Sequence, residues 1–233
     1  MKTCLFGLTG IPPGKHNVKD ARLDQAHKLV DAKKRTYAQV DVAGEEDLAT
    51  ADAIVVSEST RLDVILRDLE FVEGRLERNP PEPENAVLHK IKAALEQERF
   101  VAAAGLTPEE GLAVSAHAFL TAKPVVVASA ADRQAFDEFL VRVLAESGYI
   151  CYLTVGGPEN RAWLIRKGMT AQEAAGVIHT DIQKGFIRAE VISFADFLAA
   201  GGETQAKHAN KMRLETKQYV VQDYDLINFR FNK

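Results

Sequence analysis

Cysteine is scarce: Cys4 and Cys151 are the only two in 233 residues. Thiols so far apart, each in an apolar run, exclude a disulfide framework and a cysteine-based metal site, and they read as reduced core side chains. Long hydrophobic runs are missing as well. No stretch reaches the roughly 18 apolar residues that span a bilayer. The opening MKTCLFGLTG lacks the apolar core and cleavage site of a secretory signal, so the cytoplasm is the expected location. Internal repeats and low-complexity tracts are absent. His16, His27, His89, His117 and His208 show no ligand spacing, and no metal is expected.

What is present is an ordinary globular composition, 46% apolar, enough for a sizeable core in one or two domains. The net charge of −4 is unevenly spread. Residues 151–233 carry eleven Lys and Arg against nine Asp and Glu, whereas residues 1–150 carry eighteen against twenty-four. That asymmetry divides the chain into an acidic part and a mildly basic one, and basic residues gathered on one face steer phosphates.

The pattern alternates. KTCLFGLTG is an apolar strand ending in glycines, and DARLDQAHKLVDAKK follows at helical spacing behind an Asp20 cap. TYAQVDVAG and DAIVVSES are two further strands. Leu62, Ile65, Leu66, Leu69, Val72 and Leu76 give residues 61–78 the stripe of a long helix. NPPEPEN breaks it, and a second helix over 86–100 completes a hairpin. Thr107-Pro108 opens a capped helix, KPVVVASA is a fourth strand, and DRQAFDEFLVRVLAESG its helix. Beyond Gly148 the order is two strands joined by a Gly-Gly-Pro turn, a helix opened by the Thr170 to Glu173 capping box, then the strand IRAEVISF, a helix near ETQAKHANK and two end strands, an α+β roll. His179-Thr180-Asp181 reads as a helix-end turn, and Trp163 as a core side chain at strand spacing.

One stretch carries chemistry. GLTGIPPGKH, residues 7–16, resembles the phosphate loop G-x-x-x-x-G-K-[ST], in which backbone N–H groups curl around phosphates while Lys and a hydroxyl reach oxygen and metal. Only three residues separate Gly10 from Gly14, Pro12 and Pro13 lack the N–H that a phosphate accepts from, and His16 replaces the metal-binding hydroxyl. No helix N-terminus follows at once. Hydrolysis needs all of these parts, so it is not expected.

The runs RAWLIRKGMTAQEAAGVIHTDIQKGFIRAEVISFADF and KMRLETKQYVVQDYDLINFRFN strongly resemble the TGS domain of the YchF-type (Obg-like) P-loop ATPases, over residues 149–233. The sequence departs from the family at Thr216 and Tyr224, where the pattern carries glycine. The N-terminal half is similar but eroded: Asp41 and Gly44 stand in the D-x-A-G motif, while Ser129 and Asp132 replace the Asn and Glu of the base-reading N-x-x-E. Both switch segments are missing, between His16 and Asp20 and between Gly44 and Asp52.

The resemblance implies α/β plus α+β: a reduced P-loop-NTPase-like parallel sheet (1–60 and 119–148), a helical hairpin insertion (61–118) and a ubiquitin-like β-grasp domain (149–233). Gly10, Gly14, Lys15, Asp41, Gly44, Ser129 and Asp132 form a vestigial nucleotide site, with no catalytic residue and no cofactor. ATP or GTP with Mg²⁺ enters only under the alternative of an altered but working loop. The implied role is binding or regulation, towards ribosome, RNA or a protein, through Arg161, Arg166, Lys167, Lys184, Arg188, Lys207, Lys211, Arg213 and Lys217. Deleting helices from a parallel sheet also leaves an apolar face for a second copy or a partner to cover.

Overall fold

The structure, a computed structural model, describes residues 1–129 and 131–232, with the side chain of Arg133 also outside the description. The strand run 123–130 thus ends one residue beyond the described part. In chain order the elements are β1 (Lys2–Phe6), β2 (Gly14–Asn17), α1 (Ala21–Leu29), β3 (Lys34–Thr36), β4 (Gln39–Ala43), β5 (Ala53–Ser57), α2 (Arg61–Leu76), α3 (Glu84–Leu95), α4 (Pro108–Ala113), β6 (Val125–Ala128) and α5 (Phe136–Glu146). β7 (Tyr149–Thr154), β8 (Glu159–Arg166), α6 (Ala171–Ile178), α7 (Thr180–Lys184), β9 (Phe186–Ile192), α8 (Phe194–Ala200), α9 (Glu203–His208), β10 (Arg213–Glu215) and β11 (Leu226–Phe231) complete it. No helix among the described residues is long and apolar enough to cross a membrane.

These elements form two compact units, residues 1–16 with 40–135, and residues 17–39 with the chain from 136 onward. The boundaries differ from those read in the sequence. The run 36–44, read as one strand, is two: Thr36 ends β3, which pairs with β8, while Gln39 begins β4, which pairs with β1. A strand's partner is chosen by edge and register rather than by composition, so the short break at Tyr37-Ala38 sends the two halves to different sheets.

The first unit is built on a five-stranded sheet of order β2-β4-β1-β5-β6, with β1 parallel to β4 and β5, and β5 parallel to β6. Cys4, Phe6, Ile54 and Val56 pack on one side with Leu48, Ala51 and Val64. The opposite row, Leu5, Val42, Val55 and Val126, is also buried, Leu5 at 7% exposure being the least covered.

α2 and α3 form the expected hairpin around Ile65, Val72, Val87, Leu88, Ile91 and Leu95. The stripe is shifted from the one read in the sequence: Leu62 and Leu66 are exposed, and Asp68 is buried instead. The Asp68 carboxylate accepts from the N–H groups of Leu120 and Thr121 at 2.9 and 2.8 Å and from the Thr121 hydroxyl at 2.7 Å, which satisfies donors the turn leaves open. α3 stops at Leu95, short of Phe100, because Glu98 turns left-handed at φ +55°.

The second unit carries a six-stranded mixed sheet of order β10-β9-β11-β7-β8-β3. α6 lies over one face, where Tyr152, Ile165, Ala171, Ala174, Ala175, Val191, Ile227 and Phe229 form the core. Both threonine caps close as capping boxes, at Thr107 and Thr170, and Asp20 caps α1 through the Arg22 N–H. β9 ends at Ile192 because the Ser193 hydroxyl accepts from Asp196 N and starts α8. His179 ends α6, its N–H donating to Ala175 O at 3.2 Å, and it also caps α7, its Nδ1 accepting from Asp181 N. Only one of the two end strands forms. Val220 makes a single bridge to Thr170, and the turn before β11 closes on Asp225, which accepts from Gln222 N and the Tyr219 hydroxyl. Tyr224 stands at φ +63°, the left-handed conformation that glycine adopts freely.

Candidate functional site

In an open parallel sheet ligands bind beyond the carboxyl ends of the strands. Here that rim carries Gly7 after β1, Ser57 to Thr60 after β5 and Ser129 after β6. Gly7 is at φ +62°, and a Cβ there would collide with Thr60 Cγ2. Its N–H, the first donor of the glycine loop, points to a carboxylate oxygen of Glu45 at 3.1 Å. Glu45 also lies 3.6 Å from Arg67, whose guanidinium sits over the Phe6 ring. Thr60 Oγ1 accepts from Ser57 N at 3.0 Å and donates to Phe6 O at 3.3 Å, tying the β5 turn to the end of β1.

The remaining loop does not wrap around this point. Gly10 and Gly14 take positive φ, +91° and +121°, in open surroundings. Pro12 is held from within, its carbonyl 2.7 Å from His16 Nε2. Gly14, Lys15 and His16 then belong to β2, an edge strand beside β4 and not beside β1. With strands roughly 4.8 Å apart, Lys15 runs two strand spacings, about 10 Å, from β1. Asp41 is level with Lys2, four residues below Phe6, which at about 3.3 Å per residue is some 13 Å short of the rim. Gly44 begins the 45–47 turn, and its carbonyl accepts from the Cys4 thiol at 3.2 Å. Ser129 and Asp132 close on each other, the carboxylate accepting from Ser129 N at 2.6 Å and Oγ at 2.7 Å.

Of the seven predicted nucleotide-site residues, Ser129 and Asp132 are therefore adjacent, while Lys15 and Asp41 are apart from the rim. Glu45 and Thr60 are the residues sequence reasoning missed; the acidic run Glu45-Glu46-Asp47 directly after Gly44 was their available signal. Nucleotide phosphates do not fit the residues as placed: the first loop N–H faces a carboxylate, and the lysine lies on another strand. Both cysteines are buried, and burial pushes their thiols up, Cys4 to about 11 and Cys151 to about 12, which removes thiolate character.

The nine basic residues do not form one patch. Arg161 stacks on Trp163 at 3.9 Å and pairs with Glu159, and Arg166 lies over Tyr149. Trp163 is half-buried against the α6 core and donates to Thr154 Oγ1 at 2.9 Å. Lys207, Lys211 and Arg213 pair with Glu203, Asp196 and Glu215 at 2.6, 3.0 and 3.0 Å. Lys167 and Lys217 are exposed in turns, Lys184 ends α7, and Arg188 is exposed near the start of β9.

A sheet whose inner strands run parallel, with a glycine loop after the first strand, a helical hairpin and a second, mixed sheet define a mixed α/β protein. The family model YchF-GTPase_C, described as "Protein of unknown function (DUF933)", matches residues 149–232. The ribosome-binding ATPase YchF of Bacillus subtilis is 32% identical over 246 aligned residues, 78% of this chain and 67% of the relative. The ribosome-binding ATPase YchF of Escherichia coli O157:H7 is 58% identical over 81 residues, 35% of this chain and 22% of the relative. The structure of the Schizosaccharomyces pombe YchF GTPase superposes with a TM-score of 0.77 at 20% identity, covering 99% of this chain and 97% of that one, a likeness of fold. The chain belongs to the YchF family.

Proposed function

We propose that this chain is a non-hydrolysing member of its family, a cytoplasmic binding or regulatory protein that needs no cofactor and contacts the ribosome or RNA through its C-terminal unit, a TGS-type β-grasp module. One observation carries the reading. Where a phosphate loop runs into a helix, Gly14–Asn17 is an edge strand two positions from β1, so neither the lysine nor a helix N-terminus meets the Gly7 N–H. Glu45 supports it, because its carboxylate already takes that donor and repels a phosphate. The name of the Bacillus subtilis relative, a ribosome-binding ATPase, supports the partner class.

Titration of labelled ATP and GTP with Mg²⁺ tests the first half. No saturable binding is expected; micromolar binding that disappears in Lys15→Ala overturns the cofactor-free reading and restores an altered but working loop, and phosphate release above background overturns the non-hydrolysing one. Sedimentation with ribosomes at low salt tests the second, and a chain found only in the supernatant, with no retention on immobilised RNA, overturns it.

A further inference from the structure

Resting on the RNA reading, we infer that one end of the β9 and β11 strand pair of the second sheet, where β9 begins and β11 ends, is a surface for single-stranded RNA. Arg188 and Arg230 are direct cross-strand partners in the β9 to β11 register. Like charges placed opposite each other destabilise a sheet pair, so the pairing costs stability and invites an anion. Glu190, buried at 8% exposure, relieves only one of them: it accepts from Arg230 Nη2 at 2.7 Å and from Asn228 Nδ2 at 3.1 Å. That brace orients the Arg230 guanidinium while leaving its side chain 61% exposed. Arg188 is exposed and has no acidic partner among the described residues.

The neighbouring aromatic side chains lie on the other face of the same strand ends, where Phe186 and Phe229 pack with the α6 core, while Arg230, Asn228 and Glu190 bond to one another on the face opposite. The register shifts between Arg230 and Phe231, so that Phe231 pairs with Phe186 and Ile187 is the extra residue of a bulge, a device that re-aims side chains. Ile187 and Phe231 are exposed at 48% and 37%. Lys184 and Phe186 line the open groove beside them, whose wall also includes Asp181, itself 3.3 Å from His179. Across these strand ends the braced Arg230 guanidinium, the exposed Arg188, Lys184 and the exposed Phe231 ring supply backbone neutralisation and base stacking, the two terms that hold unpaired strands. A peptide partner uses the cations but leaves the ring without flat bases to stack on.

The test is fluorescence anisotropy of a fluorescein-labelled single-stranded RNA of roughly 15 nucleotides, with the full chain and two salt concentrations. Arg188→Glu is expected to weaken binding about tenfold and lower the salt slope by about one. Its urea midpoint should stay the same or rise, because the like-charge pair is gone; if it does not fold, Arg188→Ala carries the test. Phe231→Ala should weaken binding with the salt slope unchanged. If the unaltered chain does not bind RNA, the RNA reading falls and this surface with it. If it binds but both variants bind equally well, or the loss follows Arg161→Glu instead, the surface is overturned and the RNA reading stands. Displacement of the RNA by polyglutamate at equal charge overturns it in favour of an acidic protein partner.

Discussion

The guanidinium of Arg22 lies 3.6 Å from the centroid of the Tyr224 ring, and its nitrogens hold Asp20 at 2.7 Å and Asp223 at 2.6 Å. Asp223 in turn accepts from Cys151 N at 3.1 Å, and Tyr224 N donates to Cys151 O at 2.6 Å. Helix α1 is thereby fastened to the turn that precedes β11. A left-handed backbone costs a non-glycine residue roughly 1–2 kcal/mol, but the Tyr224 ring, 2% exposed and edge-on to Phe194 at 5.6 Å, recovers more than that. Tyr224→Gly should lower stability by about 1–3 kcal/mol despite relieving the backbone, and Tyr224→Phe much less. Urea unfolding of both variants measures this; a glycine variant as stable as the parent removes any stabilising role for the stack.

Gly7 is a second position where backbone and packing coincide. Gly7→Ala introduces a Cβ against Thr60 Cγ2 at φ +62°, and a loss of about 2 kcal/mol is expected. Thr60→Ser removes that methyl. In the double variant part of the loss should return, leaving the backbone contribution of about 1 kcal/mol; a double-mutant cycle with no coupling contradicts the contact.

Asp68→Ala orphans one buried and one part-buried N–H group and a buried hydroxyl at once. The cost expected is about 3 kcal/mol, visible as a lower urea midpoint at unchanged slope. Asp68→Asn, which keeps one acceptor, should fall in between.

The hairpin carries a built-in acid sensitivity. Glu84 receives both Arg75 nitrogens at 2.6 and 3.0 Å and His117 Nε2 at 2.8 Å, and these bonds, Arg75 first, hold its carboxyl down at about 2. A carboxylate depressed in the folded state stabilises fully above its unfolded value near 4.5 and loses that contribution as pH falls towards 2. The urea midpoint should therefore drop between pH 4.5 and 2, and Glu84→Gln should flatten that drop. Identical pH profiles for the two proteins would remove Glu84 from the acid transition.

Local signals were legible in the sequence wherever a few neighbouring residues decide the outcome. Asp20, Thr107 and Thr170 cap the helices they were read to cap, because a cap needs only residues three apart. The prolines and His16 in the glycine loop were also visible as departures. Long-range choices were not. Nothing local tells Thr36 from Gln39 in choosing a sheet, and nothing in an apolar stripe announces that Asp68 belongs inside it, since its partners lie 52 and 53 residues away. Arg230 escaped notice for the same reason: its importance comes from the register that sets it against Arg188.

The excursion of residues 17–39 into the second unit also fixes an order of assembly. Arg22 waits for a partner 201 residues later, and β3 for Glu159–Arg161. During synthesis α1 leaves the ribosome first among its neighbours, yet Arg22 cannot meet Asp223 until nearly the whole chain has been made. A fragment starting at residue 149 would accordingly be born with β8 as an open edge.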